Sequence, residues 1–197
     1  MPVTYAAFGR WSEILEADDE PEAPMAVVGW SFARGMAHLR MGHTQVAAEH
    51  LAAIDDVVAA TEPGAQFRFS PMADIIALPR AILAAEIAHA DGRSDEAIAL
   101  LEAAIEVEDG LTYSEPRAWH LPPRHVLGAI LLDVDRAADA ETVYRAAIED
   151  LPNQGWGLFG LRQALEAQGK TAQAQEARRE FDKYWSRADV WLRSSRF

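Results

Sequence analysis

Residues 140–152 read AETVYRAAIEDLP, and their spacing is the strongest structural signal in the chain. Ala140 is followed by Tyr144 four residues later, by Ala147 three residues after that, and by Pro152 five residues further on. Small residues let the two helices of a hairpin approach closely, bulky residues fill the space between them, and proline does not continue a helix. The stretch therefore predicts the second helix of a helical hairpin.

The same frame extends upstream and recurs along the chain. Gly128 and Leu131 stand where the preceding helix needs a small and a bulky residue, so Gly128 is predicted to lie at a close helix crossing. Ala140 and Ala174 are 34 residues apart, the period of a known two-helix repeat. The other copies have a glycine at the turn and small or bulky residues on both sides: Gly35, His38, Gly42, Ala47 and Leu51; Ala85, Ala88, Gly92, Ala97, Leu101 and Ala104; Leu161, Leu165, Gly169, Ala174 and Phe181.

These residues resemble the tetratricopeptide repeat (TPR) of bacterial proteins over roughly residues 24–185. The resemblance implies an all-α fold in which about four helix hairpins form a right-handed superhelix within a single domain. The start resembles a half repeat that lacks most of its first helix, so the chain resembles the C-terminal part of a longer array. The predicted parts are the half repeat 1–20, repeats 24–60, 71–108, 122–152 and 155–185, an inserted loop 109–121, and a C-terminal cap 186–197 containing Trp191.

The composition narrows the choice of partner. The chain has 31 acidic and 18 basic residues and a formal net charge of −13, which disfavours nucleic acids and anionic membranes. Cysteine is absent, which excludes disulfides and thiolate sites. The sequence shows neither a signal peptide nor an apolar run long enough to span a membrane. We therefore expect a cytoplasmic protein that binds another protein or a peptide and needs no cofactor.

In TPR proteins, ligand contacts come from fixed positions of the first helices, which line a concave groove. Carried over to this sequence, those positions combine aromatic rings, carboxylates and imidazoles, without the Lys/Asn/Arg set that clamps a terminal carboxylate in co-chaperones. Trp156 and Phe159 are the expected aromatic anchors of a bound peptide. The predicted groove residues are Phe32, Met36, Arg40, Ile82, Glu86, His89, His125, Asp133, Trp156, Phe159, Gln163 and Glu166.

The inserted loop supports an alternative. Its aromatic and charged residues could line a ligand pocket, or Tyr113 and Trp119 could fill the gap that the insertion leaves, with Glu115 paired to Arg124. Glu86 and His89 lie one turn apart on a predicted helix and, with His125, are candidate metal ligands. The alternative interpretation is therefore a small-ligand-binding or metal-binding protein, which could be an enzyme. No sequence motif for catalysis is present. The candidate pocket residues are Tyr113, Glu115, Trp119, His120 and Arg124.

Two further expectations concern segments outside the repeats. Ser70 and Pro71 are predicted to be the N-cap and first residue of a helix that kinks at Pro79, and no strand is expected. Near the start, the apolar residues of the half repeat predict an edge that is exposed or paired with another chain or with missing repeats over residues 1–15. That edge consists of Val3, Tyr5, Phe8 and Trp11.

Overall fold

The computed structural model describes residues 2–17 and 20–196. About 70% of this part of the chain is helical, in ten helices, with one pair of two-residue strands. The acidic pair Asp18-Asp19 lies outside the described residues. The elements are α1 Pro2–Ala7, α2 Trp11–Glu16, α3 Pro24–Arg40, α4 Thr44–Ala60, β1 Gln66–Phe67, β2 Ser70–Pro71, α5 Met72–Ala90, α6 Ser94–Gly110, α7 Pro123–Asp133, α8 Ala137–Asp150, α9 Gly155–Ala167 and α10 Thr171–Trp185.

The turns of the hairpins follow the predicted frame. Gly42, Gly92 and Gly169 follow the first helices of three hairpins, with φ angles of 81°, 80° and 70°. This left-handed backbone carries no steric cost for glycine. The turn between α7 and α8 instead places Asp135 in this region, at φ 59°. Aspartate tolerates the left-handed conformation better than most residues, which explains why this hairpin has no turn glycine.

The chain forms two compact units, the first up to residue 123 and the second from residue 124. In the first unit, α3 packs on α4, α5 packs on α6, and α5 also contacts α3 and α4. A Cβ atom at Gly35 would lie 2.6 Å from Leu83 Cδ2, so the small residue on α3 gives α5 the room it needs. In the second unit, α9 packs against both α8 and α10.

The segment before α5 corrects two sequence-based expectations. Ser70 and Pro71 form β2, which pairs antiparallel with β1, so the prediction of no strand is wrong for these residues. The helix begins at Met72, with Pro71 as its N-cap residue, and it continues through Pro79. The Ser70 hydroxyl does not cap the helix, because it accepts a hydrogen bond from the backbone N–H of Thr112 at 3.0 Å. A long-range contact thus replaces the local cap.

The N-terminal segment contains more of a hairpin than the sequence suggests. The six-residue helix α1 precedes α2, and both pack on α3. Gly9, at φ 65°, forms the turn between them. The predicted edge residues Val3, Tyr5, Phe8 and Trp11 are half-buried rather than fully exposed. The first helix of the predicted half repeat, α1, is therefore short but present.

Candidate functional site

The second unit is organised around the ring of Tyr144, which has no exposed surface. A Cβ atom at Gly128 of α7 would lie 2.6 Å from Tyr144 Cε1, and one at Gly160 of α9 would lie 2.7 Å from its hydroxyl oxygen. The ring therefore fits between two helices only because both positions are glycine. The predicted close crossing at Gly128 is present, and Gly160 is a second one that the repeat frame did not identify.

The phenol of Tyr144 takes part in a buried hydrogen-bond chain. Its hydroxyl lies 2.6 Å from Ser195 Oγ, and the Ser195 hydroxyl donates to the His125 carbonyl oxygen at 2.8 Å. Because the single proton of Ser195 is used for that carbonyl, Tyr144 donates to Ser195. Burial raises the pKa of Tyr144, so it remains a neutral donor at physiological pH.

Ser195 belongs to residues 186–196, called the tail here, which follow α10. Residues 188–196 form neither helix nor strand. The Gln163 side chain of α9 donates to the Arg193 carbonyl oxygen at 3.3 Å, and Arg196 Nη2 lies 2.5 Å from Asp133 Oδ2 of α7. The tail thus lies along α7 and α9, the two first helices of this unit, and contacts three predicted groove residues: His125, Asp133 and Gln163.

The imidazole of His125 is buried beside α9. The residue is 5% exposed, and Nε2 has no hydrogen-bond partner among the described residues. A Cβ atom at Gly157 of α9 would be 3.4 Å from this nitrogen, which shows how closely α9 approaches it. Burial lowers the pKa of His125 to about 4, so the ring is neutral at pH 7.

The two expected aromatic anchors pack against the last helix. Trp156 is half-buried and meets Trp185 edge-on, with ring centroids 4.9 Å apart. Phe159 is 9% exposed and meets Phe181 at 5.6 Å. Both rings therefore contribute to packing between α9 and α10 in this conformation.

In the first unit, an ion pair joins two of the predicted groove residues. Arg40 Nη1 and Nη2 lie 3.0 and 2.8 Å from the two carboxylate oxygens of Glu86, which is 1% exposed. His89 instead has Nδ1 2.9 Å from the hydroxyl of Ser94. The Glu86 carboxylate is therefore bound by a guanidinium group that links α3 to α5.

The inserted loop covers the same face of the first unit. Trp119 is 6% exposed and meets the buried ring of Phe32 edge-on, with centroids 5.0 Å apart. Tyr113 is 76% exposed and donates a hydrogen bond to Glu115, which raises the pKa of its phenol. His120 is exposed beside Trp119. Trp119 therefore fills space on the face of α3, whereas Tyr113 does not.

Within the described ranges, no group of three or more His, Asp or Glu residues could hold a metal ion.

The predicted groove residues fall into three groups by exposure. The exposed groove residues are Asp133 and Glu166, and the half-buried ones are Arg40, His89, Trp156 and Gln163. The buried ones are Phe32, Met36, Ile82, Glu86, His125 and Phe159.

Three histidines that are not among the predicted site residues form a cluster in the first unit. The ring of His38 lies 5.6 Å from that of His50 and 5.8 Å from that of His43. Desolvation, followed by the nearby positive charges, lowers the pKa of His38 and of His50. The hairpin of α3 and α4 therefore favours the neutral form of these two rings. His38 followed by His43 five residues later was the available signal.

Among the described residues, no helix combines the length and apolar character needed to cross a membrane.

No protein-family model and no curated protein sequence matches the chain. Solved structures of MamA, a TPR-like helical protein, are similar to it. MamA AMB-1 P212121 has a TM-score of 0.53 at 16% identity over 95% of this chain and 96% of its own. MamA MSR-1 C2 has a TM-score of 0.50 at 16% identity, over 95% and 94%. The chain therefore has an all-α, TPR-like fold.

Proposed function

We propose that the protein is a peptide-binding scaffold that uses the face formed by α7 and α9, here called the second-unit face. The observation that carries this proposal is the tail, a segment without helix or strand that lies on this face. Gln163 binds its main chain, and Asp133 binds an arginine side chain. A surface that binds such a segment within the chain can present the same groups to a segment of another protein.

Local electrostatics favour a basic side chain at one position of the partner. Residues 124–197 contain 11 acidic and 11 basic residues, so the second unit is formally neutral and any attraction is local to carboxylates such as Asp133, which is exposed on α7. A basic side chain of the partner would gain a charge-assisted hydrogen bond there, as Arg196 does. TPR-like folds suit this role because first helices of successive hairpins present their side chains toward one side.

Site-specific photo-crosslinking in the native host tests this function. A photoreactive amino acid at Gln163 should crosslink to a defined segment of another protein, identified by mass spectrometry. The matched control is the same amino acid at Glu176, which is exposed on α10 of the same unit. Crosslinks to one segment from position 163, and not from 176, are expected. Equal crosslinking from both positions, or none from 163, would refute the proposal.

A further inference from the structure

We propose that the tail is an internal competitor on the second-unit face, and that this face selects segments in which a serine precedes an arginine. This inference rests on the proposed function and specifies its ligand. Its starting point is Ser195, which is 3% exposed although it lies in a segment without helix or strand.

The serine subsite is built into the helices. Tyr144 is immobilised between Gly128 and Gly160, and its hydroxyl points to Ser195. A hydroxyl group can accept from this phenol and donate to the His125 carbonyl at the same time, as Ser195 does. An alanine at this place could do neither, and the buried phenol would lose the acceptor that Ser195 provides.

The arginine subsite lies next to it. The Arg196 guanidinium group bonds the carboxylate of Asp133, whose side chain is half exposed. Gln163 donates to a backbone carbonyl, so this contact does not depend on the identity of a side chain. Ser-Arg is therefore the part of the segment that is recognised by side chain, and the preceding residues are held through the main chain.

The remainder of the tail is held weakly enough to be displaced. Trp191 is 92% exposed, and residues 186–189 are exposed as well. Arg193, Ser195 and Arg196 make hydrogen bonds to α7 and α9, and before them the Val190 carbonyl oxygen accepts from Trp185 Nε1 of α10 at 3.0 Å. A few polar contacts hold a tethered segment effectively because its local concentration is high. The tail thereby reduces the apparent affinity for any external segment by the fraction of time it occupies the face.

Peptide exchange in the full-length protein tests this inference. The probe is a fluorescein-labelled peptide of residues 188–197, ADVWLRSSRF. A protein carrying Ser195→Ala with Arg196→Glu releases its own tail and should bind the probe roughly tenfold or more tightly than wild type. The control protein carries Ser186→Ala with Arg187→Glu, the same chemical changes at two exposed tail positions, and should behave as wild type.

Altered peptides test the selectivity. Probes with alanine in place of Ser195, or with glutamate in place of Arg196, should bind the released face at least roughly tenfold more weakly. Asp133→Arg combined with Ser195→Ala, in a protein that keeps Arg196, repels its own tail and should restore binding of the glutamate probe. If Ser195→Ala with Arg196→Glu does not fold, judged by circular dichroism, the Arg196→Glu single variant takes its place.

Two results would overturn the inference: equal probe affinity in wild type and the tail variant, or equal affinity for all three probes. The failures of the two proposals are distinguishable. Partner crosslinks at position 163 without any effect of the tail variants would leave the scaffold function and remove the competing tail. Tail-dependent probe binding without crosslinks to another protein would leave the competing tail and remove the scaffold function.

Discussion

Different kinds of contact cover the first helices of the hairpins in the two units, α3 and α5 in the first and α7 and α9 in the second. In the first unit, Trp119 packs on Phe32 and Arg40 pairs with the buried Glu86. In the second unit, the tail is held by hydrogen bonds: Ser195 donates to the His125 carbonyl oxygen, Arg196 donates to Asp133, and the Arg193 carbonyl oxygen accepts from Gln163. Apolar burial and a buried ion pair are costly to break, whereas a few hydrogen bonds exchange readily with those of a competing segment. Related repeats can thus provide a permanent core in one unit and a releasable surface in the other.

The largest expected effect tests the ion pair of the first unit. Arg40→Ala leaves the buried Glu86 carboxylate without its guanidinium group and should lower the free energy of unfolding by about 4 kcal/mol. Urea denaturation of the full chain measures this. The control is Arg80→Ala, which removes an exposed pair with Asp55 and should cost about 0.5 kcal/mol. Equal effects of the two variants would show that the buried pair does not hold α3 to α5.

Trp119→Ala tests whether the inserted loop is part of the core. Removing a nearly buried indole that packs on Phe32 should cost about 3 kcal/mol. Tyr113→Ala is the matched control, because this ring is exposed and its loss should change stability by less than about 0.5 kcal/mol. A stable Trp119→Ala variant with altered ligand binding would instead support the pocket interpretation of the loop.

Gly128→Leu tests the helix crossing of the second unit. A side chain here would collide with the ring of Tyr144 and should destabilise the protein by about 2 kcal/mol. Gly110→Leu is a suitable control, since the space around a Cβ atom at Gly110 is open to 4 Å among the described residues. Thermal denaturation compares them. An unchanged melting temperature for Gly128→Leu would contradict the repeat frame at this position.

Acidification tests the buried imidazole of His125. Its folded pKa of about 4 lies below the usual histidine value of 6.5, so protonation favours the unfolded chain. The stability due to the neutral ring is therefore complete above pH 6.5 and is lost as the pH falls towards 4, with about 2 kcal/mol lost at pH 5. His125→Phe should remove this part of the pH dependence, whereas the exposed His43, replaced by glutamine, should not. Parallel pH profiles of His125→Phe and wild type would contradict this assignment.

Ser195→Ala gives the smallest expected change and bears most directly on the comparison. Loss of its hydroxyl should reduce stability by about 1 kcal/mol, far less than Trp119→Ala. Hydrogen exchange of residues 188–196, followed by mass spectrometry, should show faster exchange in the variant. Ser186→Ala serves as the control within the tail. A loss as large as that of Trp119→Ala would mean that the tail belongs to the permanent core.

Much of the fold was predictable from the sequence because it depends on local patterns. The repeat frame identified hairpin turns at Gly42, Gly92 and Gly169, where a left-handed backbone suits glycine. It also identified Gly128 as a close crossing, because the spacing to Tyr144 marks both faces of a hairpin. These features depend on residues a few positions apart or on one repeat.

The site was less predictable. The groove frame named Asp133 and Gln163, which do contact another segment, but that segment is the chain's own tail, which the sequence analysis assigned to the cap, and not a partner. Trp191, assigned to the cap, is 92% exposed. The frame also named Phe32, which is buried beneath Trp119 from a loop that has no periodicity.

The sequence by itself determined the helix hairpins, their turns and the small residues at which they cross. Only the tertiary structure decided which side chains remain accessible and what lies on them. The bond between Tyr144 and Ser195 joins residues 51 positions apart, and that between Ser70 and Thr112 joins residues 42 apart. No local spacing encodes such contacts, because they arise when separate elements fold back and satisfy each other's buried polar groups.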